Sequence, residues 1–250
     1  MSGYNVFARF YDELTANIDY KARAGYFHEI IGRFKSTSGN ILLDLACGTG
    51  SISEQMARLG YDVIGVDYSQ EMLGIAIEKK FESGLPIQYL CQDMRNIDMF
   101  GTVDVTLCAL DSINHLSSAN DVKKVFERVH LFAEPDGLFI FDVNTPYKHR
   151  RILANNTFTY ETDGVYCVWE NTLNPDTDEV SMNLEFFVPD ENGLYSRSTE
   201  RFSEKAYPSE LIEKLLTECG FEILAVYGDD TFDLPTDTSQ RIIYAARTIK

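Results

Sequence analysis

Three acids and a pair of glycines stand where short apolar runs end, and their spacing points to a ligand-binding edge. Asp44 lies near the end of Asn40–Ala46 (NILLDLA), and the turn CGTG that follows carries Gly48 and Gly50. Glycines between a strand and a helix tolerate positive φ and let backbone approach a ligand with no Cβ in the way. Open α/β sheets bind their ligands at this edge, whereas an ordinary turn needs at most one glycine. A dinucleotide is the obvious competitor, since its fingerprint is GxGxxG. Here the third position is Ser53, and a carboxylate at Asp44 suits a positively charged ligand better than a pyrophosphate. Asp67 ends the run YDVIGVD, where an acid accepts from ribose hydroxyls in either reading. Asp93 and Met94, after the next run, suit a carboxyl group and an apolar side chain meeting an adenine.

These residues need a frame, and the chain supplies one. Asn40–Ala46, Tyr61–Asp67, Ile87–Cys91, Val103–Leu110 and Gly137–Val143 read as strands. Ser51–Leu59, Ser69–Glu82 and Ala119–Phe132 read as the helices between them. Unbroken Val/Ile/Leu runs predict strands covered on both faces, as in a parallel sheet with helical crossovers. The fold class is α/β, a Rossmann-like doubly wound sheet. From about Thr145 to Pro208 the pattern changes to aromatic and β-branched runs at Thr157–Glu161, Val165–Thr172, Val180–Val188 and Leu194–Phe202. Turn-rich breaks at Asn174-Pro175-Asp176 and residues 189–193 separate them, which predicts hairpins. A helix over Ser209–Cys219, with Ser209 as N-cap, then leads to two closing strands, Phe221–Tyr227 and Arg241–Thr248. Between these, Gly228–Thr238 reads as an acidic, solvated loop. Residues 1–144 and 208–250 are therefore expected to form one domain, with 145–207 as an antiparallel β insertion.

Composition narrows the partners. Of 250 residues, 39 are acidic and 22 are Lys or Arg, a formal net charge of −17. Nucleic-acid binders draw most of their affinity from basic side chains at phosphates, so DNA, RNA and anionic lipid are disfavoured. No apolar stretch approaches the roughly 20 residues of a membrane span, and the N-terminus lacks the pattern of a secretory signal. The five cysteines form no CxxC pair and read as free thiols, mostly buried, in a reducing cytoplasm.

With these motifs in place, the chain resembles the class I S-adenosylmethionine-dependent methyltransferases. DLACGTG (Asp44–Gly50) matches their first motif, VIGVDYSQEML (Val63–Leu73) the ribose-binding segment, and CQDM (Cys91–Met94) the adenine-contacting one. Tyr4–Leu14 is similar to the YxxFAxxYDxL opening of small bacterial members, and there is a looser likeness to N-methyltransferases of nucleotide-linked amino sugars. The resemblance implies a seven-stranded sheet with its last strand antiparallel and S-adenosyl-L-methionine as cofactor. It places Gly48 and Gly50 against the methionine part and Asp44 behind its amino end. Asp67 would hold the ribose hydroxyls, and Tyr68 and Met72 would flank the adenine. Asp93 would accept from the adenine amino group while the Met94 backbone meets a ring nitrogen. Leu110 would lie under the sulfonium, with Tyr11 and Tyr20 closing over the methionine end; ordinary packing of an amphipathic segment is the competing account of Tyr11.

Methyl transfer from a sulfonium is an in-line displacement with a neutral leaving group, so alignment and exclusion of water are the protein's main contributions. A base is needed only where the acceptor must lose a proton. His115 is the candidate, with Asp111 orienting an amine acceptor, although His115 fits packing at the next helix as well. His28, His130 and His149 read as structural or solvated. No NPPY-like tetrapeptide and no Pro-Cys pair follows the fourth strand, which argues against adenine-N6 and cytosine acceptors. The expectation is a cytoplasmic methyltransferase acting at nitrogen or oxygen of a small molecule, with the insertion roofing the acceptor site. Aromatic stripes like that around Trp169 are nonetheless more often core than ligand cage. A cofactor-binding regulator without turnover and a nicotinamide-dependent oxidoreductase are the competing readings.

Overall fold

The computed structural model describes residues 5–250, Asn5 by its backbone alone; Tyr4 of the opening motif lies outside them. Two helices, α1 (Asn5–Leu14) and α2 (Tyr20–Phe34), precede the alternating unit. Asp19 opens α2 by accepting from the Ala22 N–H. Then come β1 (Ile41–Leu45), α3 (Ser51–Arg58), β2 (Asp62–Asp67), α4 (Gln70–Ser83), β3 (Gln88–Cys91), β4 (Val103–Cys108), α5 (Ala119–Phe132) and β5 (Ala133–Asn144). A single turn, α6 (Pro146–Lys148), leads into the insertion strands β6 (Thr157–Glu161), β7 (Tyr166–Asn174), β8 (Glu179–Pro189) and β9 (Tyr195–Lys205). Helix α7 (Ser209–Glu218) and strands β10 (Phe221–Gly228) and β11 (Arg241–Thr248) complete the chain.

The seven-stranded sheet has the order β10-β11-β5-β4-β1-β2-β3, and the insertion is a separate four-stranded sheet, β6-β7-β8-β9. The β1, β2, β3, β4 and β5 pairings are parallel, while β11 runs antiparallel to both β5 and β10. The expected doubly wound sheet with an antiparallel last strand and the antiparallel insertion are both present. Burial explains the layers. One apolar cluster joins Leu43, Phe139 and Phe141 to α5 and α7 through Phe126 and Leu216; on the opposite face Leu42, Val63 and Ile140 meet Phe27 and Ile30 of α2 and Met56 of α3. A third cluster packs Phe7, Phe10 and Leu14 of α1 against Cys167, Leu184 and Phe186 of the insertion.

One local expectation fails. Ser209 is the first helical residue of α7 and not its cap; Pro208 holds the cap position with no side-chain bond, because proline's fixed φ suits entry into a helix. The loop after β10 is largely exposed, as expected, and is also tied to α2: Arg23 pairs with Asp230 at 2.7 Å, the Tyr26 hydroxyl donates to the Thr231 carbonyl at 2.6 Å, and Phe232 packs on Tyr26.

Candidate active site

The carboxyl ends of β1, β2, β3 and β4 border a cavity of about 310 Å³, closed on its far side by α1 and the start of α2. Tyr11, Tyr20, Asp44, Gly48, Asp67, Tyr68, Met72, Asp93, Met94, Leu110 and His115 all line it. Gly50 and Asp111 do not. Gly48 has φ +55°, and a Cβ built on it meets nothing within 4 Å, so its bare backbone faces open space in the cavity. Gly50, at φ +75°, is required for another reason: a Cβ there collides with the Tyr89 hydroxyl. One glycine leaves the cavity wall bare and the other leaves room for Tyr89.

The carboxylates are held by hydrogen bonds from neighbouring residues. Asp44 is buried at 1% exposure and accepts from the Ser53 hydroxyl at 2.5 Å. Burial pushes its carboxyl up to about 7, with the Ser53 bond pulling the other way and the Asp67 charge adding to the rise. Ser53, which in the sequence was only an absent glycine, is the hydrogen-bond donor that holds this acid. Asp67 accepts from the Gly48 N–H and the Ser69 N–H, each at 2.8 Å, so it pins the glycine turn to the tip of β2. A carboxylate has about four lone-pair sites, which leaves capacity for ribose hydroxyls. Asp93 is engaged by Arg95, whose Nε lies 2.9 and 3.0 Å from its two oxygens and whose Nη2 is 2.5 Å from Oδ2. That guanidinium holds the carboxyl below its ordinary range.

Around the other end, Tyr11 is pushed far above the usual phenol range, first by burial and then by Tyr20, Asp111, Asp12 and Asp67. It stays neutral, able to hydrogen-bond but not to act as a base. Tyr20 is likewise raised by burial, and its hydroxyl lies 2.8 Å from that of Thr15. Asp111 is set behind the wall. Its N–H donates to Asp142 Oδ1 at 2.7 Å, and its carboxylate takes Arg241 Nη2 at 2.7 Å. Burial alone would raise the Asp111 carboxyl, but Arg241, Lys148 and His115 hold it well below the carboxylate range. Leu110 and Asp111 both have positive φ, 60° and 54°. This strained pair is held by Arg241, which bridges Asp111 to Asp142, and by Arg23, which joins Asp142 to the loop after β10.

His115, at the end of the turn Ser112–His115, lines the cavity with its ring against Phe202, centroids 5.6 Å apart. Its Nε2 is 3.8 Å from Glu204 of β9, and the buried His149 Nε2 lies 3.7 Å from the other oxygen of the same carboxylate. The turn is fastened to both sheets by buried Asn114, which donates to the carbonyls of Asn144 and Lys205. Glu204, Asn114, Arg241 and Ser53 were missed in the sequence; they act through partners 9 to 130 positions away, which no local pattern reveals. No group of three or more His, Cys, Asp or Glu suited to a metal ion occurs among the described residues.

The buried carboxylate at Asp44, the Cβ-free wall at Gly48 and the apolar floor at Leu110 and Met72 fit a donor with an ammonium, a sulfonium and a nucleoside. Known proteins agree. A methyltransferase-domain family model matches residues 42–137. The chain is 34% identical to YqeM of Bacillus subtilis (strain 168), a protein named as a methyltransferase, over 99% of this chain and 98% of that one. It superposes at TM-score 0.88 on the crystal structure of an S-adenosylmethionine-dependent methyltransferase from Clostridium acetobutylicum ATCC 824, 36% identical and covering 100% of both chains. An S-adenosylmethionine-bound amino pentose methyltransferase from Micromonospora echinaspora, 19% identical, shares the fold at TM-score 0.72 over 99% of this chain and 97% of that one. The chain belongs to the class I S-adenosylmethionine-dependent methyltransferases. S-adenosyl-L-methionine is its cofactor.

Proposed function

We propose that the protein methylates nitrogen on a small-molecule acceptor. When bound, S-adenosylmethionine supplies an electrophilic methyl group on a sulfonium. In this reading Asp44 binds the donor's ammonium, Asp67 the ribose hydroxyls, and Tyr68, Met72, Asp93 and Met94 surround the adenine. Gly48 and Leu110 give close approach at the methionine end, with Tyr11 and Tyr20 shutting out water. One observation carries the reading: a single cavity gathers all but one of the expected cofactor residues, Gly50 excepted, and adds His115 at its wall.

Nitrogen is favoured by the imidazole at that wall. Tyr11 and Tyr20 are too weakly acidic to serve as bases. A positioned imidazole can take a proton from an ammonium or a phenol, whereas an aliphatic hydroxyl is too weak an acid for it. His115 would take the proton from the acceptor ammonium, with Glu204 and Phe202 fixing the ring. Asp111, locked by Arg241, shapes the wall instead of meeting the acceptor. Residues 145–207 would roof the acceptor side, and their sheet already contributes Glu204 and Phe202 there. A glycine/sarcosine N-methyltransferase from Halorhodospira halochloris is 27% identical over 88% of this chain and 80% of its own, while ubiquinone biosynthesis O-methyltransferases match less than half of this chain.

Calorimetric titration with S-adenosylhomocysteine, followed by transfer of labelled methyl to panels of small amines and of phenols, tests the proposal. Saturable binding with label in amines is expected. Label confined to phenols would overturn the choice of nitrogen, and absence of binding at millimolar ligand would overturn the site.

A further inference from the structure

Helix α1 lies across the cavity and is fastened at three places, each by an acid. At its start, Glu200 of β9 accepts from the N–H groups of Val6 and Phe7 at 2.7 and 2.8 Å. At its end, Glu13 accepts from the Thr162 hydroxyl at 2.8 Å. Both of these ties run to the insertion. The third runs to the cofactor side: Asp12 Oδ1 accepts from the Thr49 hydroxyl at 2.7 Å and the Ser51 hydroxyl at 3.2 Å, while Oδ2 takes Lys79 Nζ at 2.9 Å. Lys79 also donates to Ser51 at 2.7 Å. Thr49 belongs to the glycine turn, Ser51 opens α3 and Lys79 belongs to α4. One carboxylate therefore gathers three separate pieces of the cofactor side onto the covering helix. Tyr11, its neighbour in sequence, is the cavity-lining residue that this fastening seats.

We infer that Asp12 is a positioning residue: it latches α1 over the cofactor cavity and thereby sets the rate at which the spent cofactor leaves. The inference rests on the cavity being the cofactor site. Physical reasons favour this division of labour among the three ties. The insertion-facing side of α1 is embedded along its length in an apolar cluster through Phe7, Phe10 and Leu14 and has large apolar area to lose. The side carrying Asp12 is polar, with Lys79 and Asp12 partly open to solvent, and water can replace its hydrogen bonds at little net cost. When α1 moves, it stays with the insertion and parts from the cofactor side at Asp12. Thr49, Ser51 and the turn that cradles the ligand are then released together with Tyr11.

Stopped-flow displacement of S-adenosylhomocysteine from the full chain tests the latch. Asp12→Asn and Lys79→Met are each expected to speed release by about tenfold. The double variant should release no faster than the faster single one, because both changes cut the same contact, and Asp12→Glu should recover part of the slow rate. Melting temperatures within a few degrees of the unaltered chain separate this from general loosening. Trp169, the single tryptophan, packs edge-on against Phe7 with ring centroids 6.5 Å apart, so its emission in ligand-free Asp12→Asn should match that of the unaltered chain; an unfolding-like shift would overturn the claim that α1 stays with the insertion. Release within twofold of the unaltered rate in both single variants, or additive effects in the double variant, would overturn the latch while leaving the cofactor site standing. No saturable binding by the unaltered chain would take down both.

Discussion

Asp44 shows how one buried side chain can trade stability for binding. Its carboxyl sits at about 7 in the folded protein because burial penalises the charge, against about 3.9 in an unfolded chain. A folded pKa above the unfolded one means the contribution to stability is full below pH 4 and is lost as pH rises through 7. At about 1.4 kcal/mol per unit, that loss reaches on the order of 3–4 kcal/mol by pH 8. A bound ammonium would offset it, so cofactor affinity should rise between pH 6 and pH 8 while ligand-free stability falls. Asp44→Asn should raise ligand-free stability at pH 8 by about 2 kcal/mol, read by urea unfolding, and remove most cofactor affinity. The two glycines divide in a comparable way. Gly48→Ala should weaken S-adenosylhomocysteine binding more than tenfold at a folding cost of about 1 kcal/mol. Gly50→Ala should show itself first as lost stability, because its Cβ meets Tyr89 rather than the cavity. Parallel calorimetry and thermal melts distinguish them.

At the scale of elements, the wall at Leu110, backed by Asp111, depends on a chain of ion pairs drawn from α2, β5, β11 and the loop after β10. Arg241 lies between Asp111 and Asp142, and the Asp142 side chain is fully buried. Arg241→Met would leave two carboxylates facing each other with reduced compensation. The expected cost is about 3–5 kcal/mol, measured as a shift of the urea midpoint without a change in slope. Legibility in the sequence follows the same divide. Strands β1, β2 and β4 and helices α4 and α5 were readable because apolar periodicity is local, and the glycine turn because φ and Cβ demands are local. The anchoring of the solvated loop was not: nothing local in Gly228–Thr238 shows that Arg23, about 200 positions earlier, lies beside Asp230. Asp111 was legible as an acid near the site but not as one already neutralised by Arg241. Glu204 was unreadable for the same reason, one polar residue in an alternating strand, set apart only by the two histidines it meets.

Across the whole molecule, the net charge of −17 weighs against polyanionic partners. A polyanion would approach against the field. Transfer RNA should give no mobility shift at physiological salt and should not compete with S-adenosylhomocysteine; a shift that fades with added salt would displace the small-molecule reading. The order of the large sheet also has a consequence for synthesis. Strand β5 borders β4 on one side and β11 on the other, yet β11 emerges about a hundred residues later than β5. At bacterial-type elongation of roughly 5–20 residues per second, the nascent chain carries an open, phenylalanine-rich edge for about 5–20 s while the insertion is still being made. Such edges recruit other chains, so recovery of soluble enzyme should depend on translation speed and on chaperones that bind at the ribosome.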